Sequence, residues 1–217
     1  MASKSILILG SGIAGVVAAN RLRRMLSREN RIILVDKEVA HSFTPSYLLV
    51  MMGWREQKQI TRDLRVLAKK GIEFVPAEVL AIDPTRRVVN TSTGELGYDY
   101  LLVALGAELH PELVPGFTAA HNLYDLRDVL RLREDLRGFT TGQVAIVVSS
   151  LPFKCPAAPY EAAFLLDYHF RKLGRRDHIN IAVYTPETLP MPTAGSVLGN
   201  ALLSRHHPSI AILRLLC

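Results

Sequence analysis

The hydrophobic positions of this chain fall into short apolar runs separated by stretches with helical spacing, and the first such alternation is the clearest. Ile6 to Leu9 is a compact apolar run that predicts a strand. It breaks into Gly10-x-Gly12-x-x-Gly15, after which Val16, Ala19, Leu22 and Leu26 recur at helical intervals. A second run, Ile32 to Val35, ends on Asp36. Strand, glycine turn, helix, strand and acid in this order define a dinucleotide-binding unit. Gly10 allows the tight turn, Gly12 lets the backbone approach a pyrophosphate with no Cβ in the way, and Gly15 lets the helix pack closely on the strand. The phosphates would meet the free N–H groups at the helix N-terminus, and Asp36 would accept from the ribose hydroxyls of an adenine nucleotide.

From Lys37 to Tyr47 the sequence has no clear periodicity and reads as a loop at the carboxyl ends of the first strands, where ligands bind in open α/β sheets. Leu48 to Gly53 is an apolar helical turn, and Thr61-Arg62-Asp63-Leu64 starts a helix that ends at Gly71. Three strands are expected next, Glu73 to Pro76, Ala77 to Asp83 and Arg87 to Thr91, with turns at Asp83-Pro84 and Thr93-Gly94. This antiparallel excursion returns to Leu101–Leu105, an apolar run that suits a strand buried on both faces, with Gly106 at its carboxyl end. A meander inserted before such a strand points to a flavin domain rather than a nicotinamide domain.

Past a linker from Pro111 to Phe117, Asp125 to Leu136 reads as a helix, and then the opening theme repeats. Gln143 to Val148 is a buried strand, Tyr160 to Leu173 a helix ending at Gly174, and Ile179 to Tyr184 another strand. The glycine turn does not repeat. In its place stands Ser149-Ser-Leu-Pro-Phe-Lys-Cys-Pro156, whose side chains would obstruct a pyrophosphate and make NAD(P)H a poor candidate for electron donor. The closing stretch, Ile210 to Cys217, is apolar and reads as a terminal strand, a surface anchor or the product of a shortened reading frame. The expected fold is α/β, a Rossmann-like FAD-binding domain with an antiparallel β-meander insertion followed by a second, partial Rossmann-like domain. The expected boundaries are 1–110 for the first part of the FAD-binding domain, 111–204 for a degenerate nucleotide-binding-like domain and 205–217 for an atypical tail.

Composition narrows the partners. With 217 residues, 49% of them hydrophobic, the chain has ample core and is not disordered. The net charge of +6, from 26 basic and 20 acidic residues, is dispersed. Arg21, Arg24 and Arg28 share a helical face that reads as solvated surface, so no nucleic-acid partner is expected. Two cysteines, Cys155 and Cys217, make no disulfide framework and suit a reducing compartment. Ile6 to Leu9 is too short for a secretory leader, and no apolar run is long enough to span a membrane. His206 and His207 are adjacent, point to different sides in any regular structure and have no third ligand spaced nearby, so no metal is expected. His41 reads either as a proton donor beside the early loop or as a surface histidine.

Cys155 takes the place of the missing glycine turn, between a strand end and a helix start. The helix dipole and Lys154 both favour a thiolate there, while an unpaired cysteine also reads as a small buried apolar residue. The residues around it carry a family resemblance. Gly10-Ser-Gly-Ile-Ala-Gly15, Phe43-Thr-Pro-Ser46 with Gly53-Trp-Arg55, Tyr98-Asp-Tyr-Leu-Leu-Val-Ala-Leu-Gly106 and Lys154-Cys-Pro-Ala-Ala-Pro-Tyr-Glu161 together resemble the sulfide:quinone oxidoreductases and the flavoprotein subunit of flavocytochrome c sulfide dehydrogenase. The resemblance runs to about Ser204 and is narrowest around Cys155, since the glycine motif belongs to the whole pyridine nucleotide-disulfide oxidoreductase superfamily.

The resemblance implies FAD, with Gly10, Gly12, Ile13, Ala14 and Gly15 at the pyrophosphate and Asp36, with Lys37 beside it, at the adenosine ribose. It also implies Thr44 and Pro45 near the isoalloxazine, Val79 near the adenine, and Ala104 and Gly106 along the pyrophosphate. Cys155 becomes the catalytic residue. Sulfide would attack a disulfide or persulfide there, the thiolate would attack the flavin, and a quinone or cytochrome would remove the two electrons. The implied function is oxidation of sulfide or a related small sulfur compound. The alternatives are an NAD(P)H-dependent flavin reductase of the type II NADH dehydrogenase type and an inactive nucleotide-binding fragment. The expected location is the cytoplasm, with peripheral attachment to the inner face of the cell membrane and homodimerisation as extensions of the same reading. Family members are longer and carry a second redox cysteine in their later half, which Cys217 does not match, so the chain reads as a truncated or frameshifted member.

Overall fold

The computed structural model describes residues 3–204 and 210–214, so His206, His207 and Cys217 lie outside the described residues. The chain divides into two compact units, Met1–Thr44 with Gln57–His110 and Pro45–Glu56 with Pro111–Cys217.

In the first unit β1 (Ser5–Leu9) runs through the glycine turn into α1 (Ile13–Met25), which returns to β2 (Arg31–Asp36). Strands β1 and β2 are parallel with Leu9 opposite Val35. Their residues alternate between two cores, as the strand period requires. Ile6, Ile8, Ile32 and Leu34 meet Ala19 of α1 with Leu64, Leu67 and Ile72, while Leu7, Leu9, Ile33 and Val35 meet Ala77 and Val89 on the other face.

A short strand β3 (Ala40–Ser42) follows within the stretch expected to be loop, and the chain then passes to α2 (Tyr47–Met51), which belongs to the second unit. It returns with α3 (Gln57–Ile60) and β4 (Thr61–Asp63), antiparallel to β3. The helix expected from Thr61 therefore starts later. Residues 61–63 are committed to pairing, and the Asp63 side chain accepts the Arg65 N–H at 2.8 Å to cap a 3-10 helix over Leu64–Lys70. Next come β5 (Glu73–Pro76), parallel to β2, and a three-stranded antiparallel meander of β6 (Val79–Asp83), β7 (Val88–Thr91) and β8 (Gly94–Gly97). The meander covers the second face of the sheet through Val89, Val79 and Leu96.

The unit's last strand, β9 (Tyr100–Val103), pairs in parallel with β1, giving the sheet order β5-β2-β1-β9. Asp99 sets this register, since its carboxylate accepts the Ser5 N–H at 2.8 Å and the Lys4 ammonium at 2.9 Å. Those two contacts hold the Asp99 carboxyl below its usual range, the Ser5 backbone bond foremost. The apolar run there is not buried on both faces. Tyr100, Leu102 and Val103 are 61%, 38% and 56% exposed, because β9 is an edge strand and only Leu101 packs into the core.

The second unit repeats the plan. Capped by Asp125, α4 (Leu126–Gly138) leads to β10 (Gly142–Val147), α5 (Ala158–Lys172), β11 (Ile179–Thr185), α6 (Ser196–Ser204) and β12 (Ile210–Arg214). The three strands form a parallel sheet in the order β10-β11-β12. The described part of the closing apolar stretch is thus a strand. Again an edge replaces an expected buried strand: Val147 of β10 is 58% exposed, and β11 in the centre takes the core. Buried α5 residues, from Ala158 to Phe170, pack along the sheet. At the helix's far end Asp167 pairs with the buried Arg176 at 2.6 Å, and Arg176 also donates to the Ile179 carbonyl at the start of β11.

Candidate functional site

The glycine turn of the first unit is an open cradle held from behind. Gly10 adopts φ +94°, donates its N–H to the Val35 carbonyl at 2.8 Å, and runs so close to the chain beyond β9 that a Cβ would lie 2.3 Å from the Ala104 carbonyl oxygen. A Cβ at Gly15 would lie 1.8 Å from the Gly10 carbonyl oxygen, so α1 reaches its strand only with glycine there. Gly12 is the reverse case. It caps α1, is exposed, and a Cβ on it would meet nothing within 4 Å. No side chain caps the helix and its first turn has no acid, so the leading N–H groups face outward with Ile13 and Ala14 exposed beside them. Open space before uncompensated N–H groups fits a pyrophosphate.

Asp36 organises this turn. Its Oδ2 accepts from the Ser11 N–H at 2.6 Å and the Ser11 hydroxyl at 2.8 Å, and its Oδ1 accepts from the Glu38 N–H at 2.9 Å. Oδ1 retains a lone pair for a ribose hydroxyl. His41 takes part as well. Its Nδ1 lies 2.8 Å from the Ser11 carbonyl oxygen, which can only accept, so Nδ1 carries the proton and the half-buried ring braces the turn. Ser11 and this brace lacked any periodic signal in the sequence.

Gly10, Gly12, Ile13, Ala14, Gly15, Asp36 and Ala104 are therefore brought together in one unit. Lys37 is exposed beyond Asp36, and Gly106, with φ +74°, lies in open space past Ala104. Val79 is half-buried against the sheet core. Thr44 and Pro45 fall on either side of the division between units, in the 3-10 turn Thr44–Ser46. The loop after α2 is anchored within the second unit, where the Arg133 guanidinium grips the Glu56 carboxylate at 2.7 and 3.1 Å and Arg55 donates to Ser46 at 2.7 Å.

The second unit carries Cys155. Val148 N–H donates to the Tyr184 carbonyl at 2.8 Å, the counterpart of the Gly10–Val35 bond. Val148 therefore stands where the first unit has Gly10, and Thr185 stands where it has Asp36. A valine side chain at the turn and a hydroxyl in place of the acid remove two of the contacts a dinucleotide uses. Cys155 is exposed and unpaired rather than buried, and it adopts φ +53°. Its carbonyl accepts from the Ala158 N–H at 3.0 Å, so α5 begins three residues after it, at Ala158. Tyr124 completes the neighbourhood. Burial, with Cys155 adding to it, pushes its phenol up to about 12, and its hydroxyl is buried with no hydrogen-bond partner among the described residues. Tyr124 thus stays protonated at neutral pH. It sits just before the Asp125 cap of α4, between the linker and the helix, where the sequence offered no pattern to find it. Among the described residues no cluster of His, Cys, Asp and Glu could hold a metal, and no helix is long and apolar enough to cross a membrane.

Two parallel β–α–β units, the first with an open glycine cradle and an acid at the end of its second strand, define a dinucleotide-binding framework. The chain belongs to the pyridine nucleotide-disulphide oxidoreductase family, whose model matches residues 4–148. Members of this family bind FAD. Mitochondrial sulfide:quinone oxidoreductase of Mus musculus is 28% identical over 187 residues, 83% of this chain and 41% of that protein. The sulfide:quinone oxidoreductase structure from Aquifex aeolicus superposes with a TM-score of 0.82 at 23% identity, covering 98% of this chain and 51% of that one. Type II NADH:quinone oxidoreductase of Staphylococcus aureus is 32% identical over 105 residues, 48% of this chain and 26% of that protein. The chain spans about two fifths of the length of the sulfide:quinone oxidoreductase it matches in mouse.

Proposed function

We propose that this chain is an FAD-dependent oxidoreductase of the sulfide:quinone oxidoreductase type, with 1–110 as the FAD-binding part and 111–204 as a degenerate nucleotide-binding-like domain that serves the thiol. The observation that carries the reading is Cys155: an exposed thiol where a nucleotide-fold turn would have its glycines. Bound FAD supplies a two-electron acceptor. The residues that would hold it are Gly10, Gly12, Ile13, Ala14 and Gly15 at the phosphates, Asp36 and Lys37 at the ribose, Val79 at the adenine, Ala104 and Gly106 along the pyrophosphate, and Thr44 and Pro45 at the ring system.

In this reading the Cys155 thiolate and hydrosulfide would join through a new S–S bond, Cys–S⁻ + HS⁻ → Cys–S–SH + 2e⁻, the two electrons passing to bound FAD, and Tyr124, which stays protonated, is a hydrogen-bond donor near the thiol. Electrons leave to a quinone or cytochrome. The site belongs to a cytoplasmic protein that attaches peripherally to the inner face of the membrane and pairs as a homodimer. The curated NADH:quinone oxidoreductase relative supports a second reading, with NAD(P)H as donor. Val148 and Thr185 in place of glycine and acid weigh against it.

The test is the visible spectrum of the purified chain reconstituted with FAD, under anaerobic sulfide and then NADH. Bleaching by sulfide alone supports the proposal. Bleaching by NADH supports the second reading, and a chain that takes up no FAD is a nucleotide-fold fragment. Asp36→Asn is expected to weaken FAD binding about tenfold by setting an amide N–H₂ among donors, a loss of order one charge-assisted hydrogen bond. Titration of flavin fluorescence measures it.

A further inference from the structure

In the second unit a carboxylate is buried without a cation. Glu187 is 4% exposed, and its Oε2 accepts from the Tyr160 hydroxyl at 2.5 Å and from the Thr185 hydroxyl at 3.1 Å. The Glu187 N–H donates to the Thr185 Oγ1 at 3.2 Å, which closes the turn after β11. Tyr160 and Thr185 are themselves 3% and 2% exposed. Among the described residues no lysine, arginine or histidine pairs with Glu187. A buried carboxylate held by two hydroxyls and no cation among the described residues is a poor way to gain stability, since an apolar trio would fill the same space without the desolvation cost.

The position of the network supplies its reason. Thr185 ends the central strand β11, and Tyr160 lies in the first turn of α5, so the bond ties the end of the strand to the start of the helix. Ala158, in the same turn, holds the Cys155 carbonyl at 3.0 Å. Cys155 has φ +53°, a backbone conformation that side chains other than glycine, asparagine and aspartate rarely adopt and that persists only where its surroundings impose it. The direction of the thiol thus depends on the seat of one helical turn. The first unit uses the corresponding strand end differently, with Asp36 turned toward the glycine loop.

We propose that Tyr160 and Glu187 are positioning residues for Cys155: their buried bond seats the first turn of α5 and thereby holds the thiol in its left-handed, exposed placement. The inference rests on the reading of Cys155 as the sulfur-handling thiol, but its test does not use sulfide. The experiment measures the rate of Cys155 alkylation by iodoacetamide against pH, on the full chain in a Cys217→Ser background. Tyr160→Phe, which removes one oxygen from the same volume, is expected to lower the rate about tenfold and to move the pH profile, because the thiol loses its exposed placement. Glu187→Leu should behave likewise, whereas Glu187→Gln, which keeps a carbonyl acceptor for the phenol, should restore the parent profile. Thr185→Val, a milder loss at the same carboxylate, should give the same sign and decides the matter if Tyr160→Phe does not fold. Parent rates and profiles in the folded variants, with only a lowered melting temperature, would overturn the proposal and make the network structural alone. A changed alkylation profile without sulfide bleaching would instead leave the positioning role standing and remove the sulfide reading.

Discussion

Cys155→Ser is expected to lose sulfide-dependent flavin bleaching by on the order of 10⁴-fold while retaining the yellow colour of bound FAD. Serine keeps the size and the backbone but not the chemistry: a hydroxyl is neither ionised near neutral pH nor able to carry a second sulfur through a reversible bond. The position tolerates the change structurally. Cys155 is exposed, and the contact that fixes it runs through its backbone carbonyl to the Ala158 N–H rather than through the sulfur. The glycine cradle and Asp36 belong to the other unit, so loss of bleaching with retained flavin isolates the thiol's part. Stopped-flow absorbance under anaerobic sulfide makes the comparison, and equal rates in parent and variant would remove Cys155 from the reaction.

Gly15→Ala is expected to cost at least about 3 kcal/mol of stability and to abolish flavin uptake, because the added Cβ has nowhere to go. It would lie 1.8 Å from the Gly10 carbonyl oxygen, a backbone atom that can yield only if α1 lifts from β1. Gly10 is itself fixed by its N–H bond to Val35 and by the Ala104 carbonyl behind it, so the displacement would pass straight into the cradle. Gly12→Ala separates the two effects. Its Cβ meets nothing within 4 Å in the protein, so urea unfolding should be nearly unchanged while FAD affinity falls. A stable, yellow Gly15→Ala protein would contradict the packing account.

The pattern of the first unit was legible because its signals are local. Gly15 is demanded by backbone geometry within one strand–turn–helix, and Asp36 follows a short, β-branched apolar run that the glycine turn and helix before it mark as the second strand of the unit. The repeat of that plan from β10 to β11 was legible for the same reason, as was the absence of the glycine turn between β10 and α5. The helix expected from Thr61 shows the limit. Residues 61–63 have side chains compatible with a helix start, but their backbone groups are taken by β3, a partner about twenty residues away that local propensity does not report.

Sequence by itself determined which residues could line a dinucleotide cradle, which strands and helices alternate, and where a thiol replaces that cradle. Periodicity records which faces are apolar. Tertiary structure alone decided what covers those faces: β9 and β10 have the runs of central strands yet sit at sheet edges with Val103 and Val147 exposed. It alone exposed Cys155, gave its backbone a positive φ, and set near it a Tyr124 hydroxyl that has no hydrogen-bond partner among the described residues. The bond from Tyr160 to Glu187 spans 27 positions and leaves no periodic trace, since a buried hydroxyl and carboxylate find each other only once α5 has packed on β11.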